Sequence, residues 1–229
     1  MSIKRTRNIN SKGDNLTILT NIVILSMHLF LCEIVQRRTE MNSEIKNQTI
    51  FKNLLIETER LIIRPYRLED TKDLFIIISE PNFYDYIPEA PPSLKEVGEI
   101  IQWSMDCNNK NTLEKIYKLN LGIILKESNC FIGFCGLGPY DLDSTKIEIY
   151  YGLKKDFRGR GLTTEAAKAL LDYGFSTLRL DEIVTTVFPQ NIPSVRILEK
   201  IGMTKQYSIT SPPKEHLDFK GMDYYTISK

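Results

Sequence analysis

The sequence predicts an α/β fold in which a mixed, mostly antiparallel central sheet is flanked by helices. Three observations carry this. Short apolar runs bounded by turn residues recur from Leu61 to the C-terminus, as strands do. Helical stripes interrupt them, such as Ala166, Ala169, Leu170 and Tyr173 at i, i+3, i+4 and i+7. A glycine–arginine loop, Arg158-Gly159-Arg160-Gly161, joins one apolar run to that stripe.

The elements follow in order. Leu61 to Arg64 reads as a short strand. Leu68 to Ser79 reads as a helix with Glu69 and Asp70 at its positive end, and Pro81 closes it. Pro88, Pro91 and Pro92 mark an irregular loop. Ser93 caps a helix ending near Cys107, and Glu96 completes a capping box. Asn108 to Asn111 is a polar break. Tyr117 to Leu125, Cys130 to Leu137 and Lys146 to Leu153 read as three strands, with turns at residues 127–129 and at Gly138 to Ser144. A helix from Thr163 to Ser176 is followed by a strand from Glu182 to Val187. Pro193 suits the first turn of a second helix and Gly202 its C-terminal cap. Met203 to Ile209 and Asp223 to Ile227 supply the last strands. Residues 51–229 are expected to form the domain, with 1–50 as an N-terminal extension.

Composition fits a packed globular enzyme: 229 residues, 42% hydrophobic and 26% charged. A net charge of +1 argues against a nucleic-acid partner. Cys32, Cys107, Cys130 and Cys135 show no CxxC spacing, and His28 and His216 are the only histidines, so no metal site is expected.

The extension contains an uncharged, apolar stretch from Leu16 to Cys32. Lys4, Arg5, Arg7 and Lys12 precede it, and Arg37 and Arg38 follow. Three readings compete: a signal or short membrane anchor, a soluble accessory helix, or sequence upstream of a natural start at Met41. The stretch is short for a span, carries five polar residues (Thr17, Thr20, Asn21, Ser26 and His28), and lacks an A-x-A cleavage site. Membrane attachment is therefore not the expected state.

The loop carries the chemistry. Glycines at a strand-to-helix junction let backbone N–H groups approach a ligand, and the helix start adds unpaired N–H groups and a positive dipole end. Such a site suits phosphate. The spacing is neither G-x-G-x-x-G nor a P-loop. The arginines add positive charge for a pyrophosphate. Downstream lies Asn191-Ile192-Pro193-Ser194-Val195-Arg196-Ile197-Leu198-Glu199-Lys200-Ile201-Gly202-Met203, and upstream Glu57-Thr58-Glu59-Arg60-Leu61-Ile62-Ile63-Arg64-Pro65. With Gly159 to Ala167, these segments resemble the GNAT superfamily of acetyl-CoA-dependent N-acetyltransferases. The similarity is to the branch containing ribosomal-protein-alanine N-acetyltransferases, and it spans about residues 57–229. Thr163 departs from the small residue that usually ends the loop motif.

The resemblance implies a GNAT-type sheet with a cofactor cleft between two splayed strands, acetyl-CoA as donor, and a cytoplasmic enzyme. It implies that Arg158, Gly159, Arg160, Gly161, Leu162, Thr163 and Thr164 hold the pyrophosphate. The pantetheine arm would pair with backbone of Ile149, Tyr151 and Leu153, and Asn191 would bind pantetheine or acceptor. Glu148 is the expected base, standing mid-strand among apolar residues. Ser194 is the expected proton donor to the leaving thiolate. The acceptor is a primary amine, such as a ribosomal or other protein N-terminus or a small amine, and the Pro81 to Ser93 loop is expected to line its side. Two rival functions are a non-catalytic acetyl-CoA sensor and a membrane-tethered interaction protein.

Overall fold

Among the described residues, eight strands build one sheet: β1 (Ile56–Glu57), β2 (Leu61–Pro65), β3 (Leu119–Leu125), β4 (Cys130–Tyr140), β5 (Asp143–Leu153), β6 (Glu182–Val187), β7 (Thr204–Ser208) and β8 (Asp223–Ser228). Their spatial order is β1-β2-β3-β4-β5-β6-β8-β7, and every neighbouring pair is antiparallel except β5 with β6. The computed structural model describes residues 50–87 and 90–229, and in the N-terminal extension residue 33 and residues 36–38. The chain divides into two compact units, 1–46 and 47–229. In the first, Arg37 pairs with Glu33 one helical turn away, at 2.8 Å. The apolar stretch from Leu16 to Cys32 lies outside the described residues. Among the described residues, no helix is long and apolar enough to cross a membrane, and no group of histidine, cysteine and acidic side chains could hold a metal ion.

Helices α1 (Thr71–Ile78), α2 (Leu94–Lys110), α3 (Leu162–Ser176) and α4 (Ile192–Lys200) flank the sheet. The α3 residues Leu162, Ala166, Ala167, Leu170 and Leu171 pack with Leu119, Leu121, Ile123, Leu137 and Ile149 in the largest core cluster. A second cluster joins Leu74, Ile77, Val97 and Ile101 from α1 and α2 to Ile124 and Phe131. Each buried Leu, Ile, Val or Phe side chain among them contributes about 1.5–3 kcal/mol, so these clusters fix both helical layers against the sheet. The Ser93 capping box forms as expected: the Ser93 hydroxyl accepts from Glu96 N at 3.3 Å, and Glu96 accepts from Ser93 N at 2.7 Å.

Four boundaries shift. α2 runs on to Lys110, through most of the polar break expected at Asn108 to Asn111, and ends where Asn111 leaves the helical backbone. The other three shift for visible reasons. The turn expected from Gly138 to Ser144 shrinks to Asp141–Leu142, because β4 continues through Pro139 and Tyr140. The register slips between those two residues; a residue without an N–H sits at a break in the ladder at little cost. β3 starts at Leu119 rather than Tyr117. The buried Asn111 amide accepts from Tyr117 N at 2.8 Å and donates to Lys118 O at 2.9 Å, holding both residues to the end of α2. The helix expected from Leu68 divides into a 3-10 turn, Leu68–Asp70, and α1.

Asp70 explains that division. Its carboxylate accepts from Arg67 N at 2.7 Å and takes both ends of the Arg64 guanidinium at 2.8 Å. The pair is nearly closed to water, with side chains 14% and 4% exposed. The Asp70 hydrogen bond and charge raise the Arg64 pKa against its burial. Removing one member of a buried pair strands the other charge, at a cost of about 3–5 kcal/mol. Arg64→Met is therefore expected to lower the unfolding free energy, measured by urea titration, by that much. An unfolding free energy within about 1 kcal/mol of wild type, the range of an exposed pair, would show the pair to be dispensable.

Candidate active site

The parallel strands β5 and β6 are in register at one pair, Glu148 with Val184. β5 continues five residues further to Leu153 without a β6 partner, so the sheet opens on the C-terminal side of Glu148. This is the cleft expected between two splayed strands. Glu148 sits at its apex.

Burial pushes the Glu148 carboxyl up to about 7, and Asp141 adds to the rise. Lys118, the Thr186 backbone and the Thr185 hydroxyl pull it down. Lys118 reaches this place because its side chain passes over Gly138, the β4 partner of Glu148. A Cβ on Gly138 would lie 2.5 Å from Lys118 Cδ and 3.2 Å from its Nζ. The Lys118 ammonium stands 4.4 Å over the Tyr150 ring. The Tyr150 hydroxyl donates to Asn120 Oδ1 at 2.5 Å, Asn120 donates to Ser104 Oγ at 2.6 Å, and Ser104 donates to Ile100 O at 2.8 Å. Lys146 turns to Glu182 at 2.8 Å and leaves Glu148 alone. A carboxyl that titrates near neutrality and stands at the apex of a cleft is suited to take a proton from an amine at pH 7.

The glycine–arginine loop follows β5 after a 3-10 turn at Lys155–Phe157. Gly159 (φ 75°) and Gly161 (φ 77°) both adopt left-handed backbone, which L side chains rarely do. Gly161 is the N-cap of α3 and supplies no side-chain cap, so the helix presents its first N–H groups outward. Leu162 is buried and starts α3, while Thr163 and Thr164 occupy its first turn. Arg160 lies 5.8 Å from the Phe157 ring centroid.

Arg158 is engaged on the protein side. Its Nε donates to Leu153 O at 2.8 Å and its Nη2 to Glu80 at 2.8 Å. Glu80 also accepts from Lys155 N at 2.8 Å. Arg158 thus braces the loop against the end of α1, and the Leu153 carbonyl is already occupied. Ile149 is fully buried, whereas Tyr151 crosses the cleft and its hydroxyl donates to Ser194 O at 3.4 Å.

Asn191 caps α4 by accepting from Ser194 N at 3.3 Å. That bond uses the amide oxygen and not the NH2 group. Ser194 and Tyr151 therefore meet across the cleft from Glu148's own strand. Sequence reasoning missed that the Tyr151 hydroxyl stands beside Ser194, although an aromatic on the strand that lines the cleft was the available signal. It also missed Glu80, whose only hint was an acidic residue at the end of a helix. From the 81–93 loop, Tyr86 donates to Gln190 O at 3.3 Å and lies 6.4 Å from Phe188. This brings the loop to the β6–α4 connection. Pro88 and Glu89 are outside the described residues.

The sequence pattern of the Acetyltransferase (GNAT) domain matches residues 60–204. The chain belongs to the GNAT acetyltransferase family. It is 32% identical over 151 residues to the uncharacterized N-acetyltransferase YnaD of Bacillus subtilis, covering 66% of this chain and 83% of that protein. A GNAT acetyltransferase from Bacillus anthracis superposes with a TM-score of 0.62 at 28% identity, covering 76% of this chain and 98% of its own. RimL, a ribosomal L7/L12 α-N-protein acetyltransferase solved with coenzyme A, shares the fold at a TM-score of 0.62 and 15% identity, over 76% and 97% of the two chains. The open, mostly antiparallel sheet with its β5–β6 gap is the GNAT fold in this chain.

Proposed function

We propose that this GNAT domain transfers the acetyl group of acetyl-CoA directly to a primary amine, either a peptide or protein N-terminus or a small amine, in the cytoplasm. The observation that carries the reading is Glu148, a near-neutral carboxyl at the point where β5 and β6 part. The chain's groups fit the donor. The uncapped α3 N-terminus and the two left-handed glycines suit a pyrophosphate, and the unpaired side of β5 suits the amides of a pantetheine arm. The ribosomal acetyltransferase of like fold, solved with coenzyme A, supports the same donor.

In this mechanism Glu148 accepts a proton from the acceptor ammonium. The freed amine forms the C–N bond as the C–S bond breaks. Of the two protons the ammonium loses, one leaves through Glu148 and the other balances the released thiol. The Ser194 or Tyr151 hydroxyl delivers the thiol's proton at the α4 side. An α-amino group needs only about 1–1.4 kcal/mol to deprotonate at pH 7, and a lysine-like amine about 4.6 kcal/mol. A base near 7 is matched to the first. The acceptor is expected to be a peptide N-terminus before a polyamine.

Thiol release from acetyl-CoA tests this across peptides, polyamines and aminoglycosides, with the product checked by mass. Release with at least one class, strongest for peptide N-termini, is the expected outcome. Coenzyme A binding without release for any amine would replace transfer by a sensing role.

A further inference from the structure

Glu165 raises a problem for the donor site. It lies in the first turn of α3, where a negative charge would oppose a pyrophosphate. Burial alone would raise its carboxyl; the Thr58 hydroxyl, the Arg60 N–H and the Arg60 guanidinium outweigh that and hold it below the usual value. It is therefore an anion at neutral pH, and its side chain is 18% exposed.

The partners come from the opening segment of the domain. The Thr58 hydroxyl donates to Glu165 Oε1 at 2.5 Å and Arg60 N donates to the same atom at 2.9 Å. Arg60 Nε and Nη2 both lie 2.6 Å from Oε2. Arg60 Nη1 donates to the Arg160 carbonyl at 3.0 Å, inside the phosphate loop. Arg60 Nη2 is also 3.6 Å from where a Cβ on Gly161 would stand. Thr58 is fixed in turn, since its hydroxyl accepts from Leu61 N at 2.9 Å and its carbonyl accepts from Lys126 Nζ at 2.7 Å. Two sequence motifs about 100 residues apart thus meet in one cluster.

We infer that Arg60 is a positioning residue for the donor: it cancels the Glu165 charge and holds the Arg160 carbonyl turned to itself, so that the loop meets the pyrophosphate with N–H groups only. This rests on the acetyl-CoA reading above. The role is electrostatic, because Thr58 and the Arg60 backbone already satisfy one Glu165 oxygen without the guanidinium.

Coenzyme A affinity by calorimetry tests it, together with KM for acetyl-CoA and kcat, on Arg60→Met, Arg60→Lys and Arg60→Met combined with Glu165→Gln. Arg60→Met is expected to weaken coenzyme A about tenfold, the size of a charge effect at a helix terminus, with KM for acetyl-CoA rising and kcat little changed. Arg60→Lys is expected to restore most of the loss. The double variant is expected to recover most of the lost affinity, since the charge that needed cancelling is gone and only the hold on the Arg160 carbonyl is still missing. A structural clip would give the reverse: the double variant would be weaker than Arg60→Met and its melting temperature lower still. That result overturns the inference, as does wild-type affinity in Arg60→Met. If Arg60→Met does not fold, the double variant and Arg60→Lys still decide, because a soluble double variant with near-wild-type affinity needs the charge explanation. Failure of the wild-type protein itself to bind coenzyme A would instead overturn the donor reading, and this inference with it.

Discussion

Replacing Glu148 by glutamine is expected to lower kcat about 100-fold or more at pH 7 for a lysine-like amine, and by a smaller factor for a peptide N-terminus. The magnitude is that of a general base. The difference follows from the acceptor: the higher its pKa, the more proton removal it needs from the enzyme. The pH profile gives a second readout. The carboxyl titrates near 7 because burial and Asp141 raise it further than Lys118, Thr185 and Thr186 lower it. Wild-type kcat/KM should therefore rise with pH through about 7, as the carboxylate forms, and the glutamine variant should lose that inflection. Stability moves the other way. A carboxyl whose folded pKa lies above its unfolded value favours the folded state while protonated, so its contribution is full at low pH and is lost as pH rises from about 4.5 through 7. The glutamine variant should melt with a flatter pH dependence across that window. Equal losses for both amine classes, with the inflection retained, would remove Glu148 as the base.

The sequence made the elements legible because each carries a local signal. The Ser93–Glu96 box, Pro193 and Gly202 are short-range chemistry, and the helix and strand bounds they imply agree with the structure to within a few residues. The loop Arg158 to Gly161 was legible for the same reason: two glycines there need left-handed backbone. Long-range pairings were not legible. That Arg158 turns back to Glu80 depends on α1 ending beside β5, and nothing within either segment announces it. The partners of Glu165 are likewise set by β2 lying near the start of α3. Yet one inference was within reach, since an acidic side chain at a helix start read as a phosphate site calls for a nearby cation. The Lys118–Glu148 proximity depends on Gly138 being a glycine in the strand between them, which only the registered sheet reveals.

Gly161→Glu is expected to abolish detectable binding of acetyl-CoA, with an affinity loss of about 100-fold or more. Two costs add. The position has φ 77°, which a non-glycine residue adopts at about 1–2 kcal/mol. The second cost is charge. Two unit charges about 4 Å apart near a protein surface repel by about 4 kcal/mol, and a carboxylate here would face the pyrophosphate. Space does not prevent the substitution, because the nearest atom to the added Cβ is Arg60 Nη2 at 3.6 Å. That neighbour offers no escape. If Arg60 turns to the new carboxylate, it releases Glu165; if it stays with Glu165, the new charge is unpaired. One uncancelled anion remains at the start of α3 in both cases. Gly161→Ala separates the terms, since it carries the backbone cost alone and should lose only about tenfold. Calorimetry on both variants, with far-ultraviolet circular dichroism to verify the fold, distinguishes the outcomes. Equal losses for alanine and glutamate would reduce the effect to backbone strain, and unchanged affinity for the glutamate variant would place the pyrophosphate elsewhere.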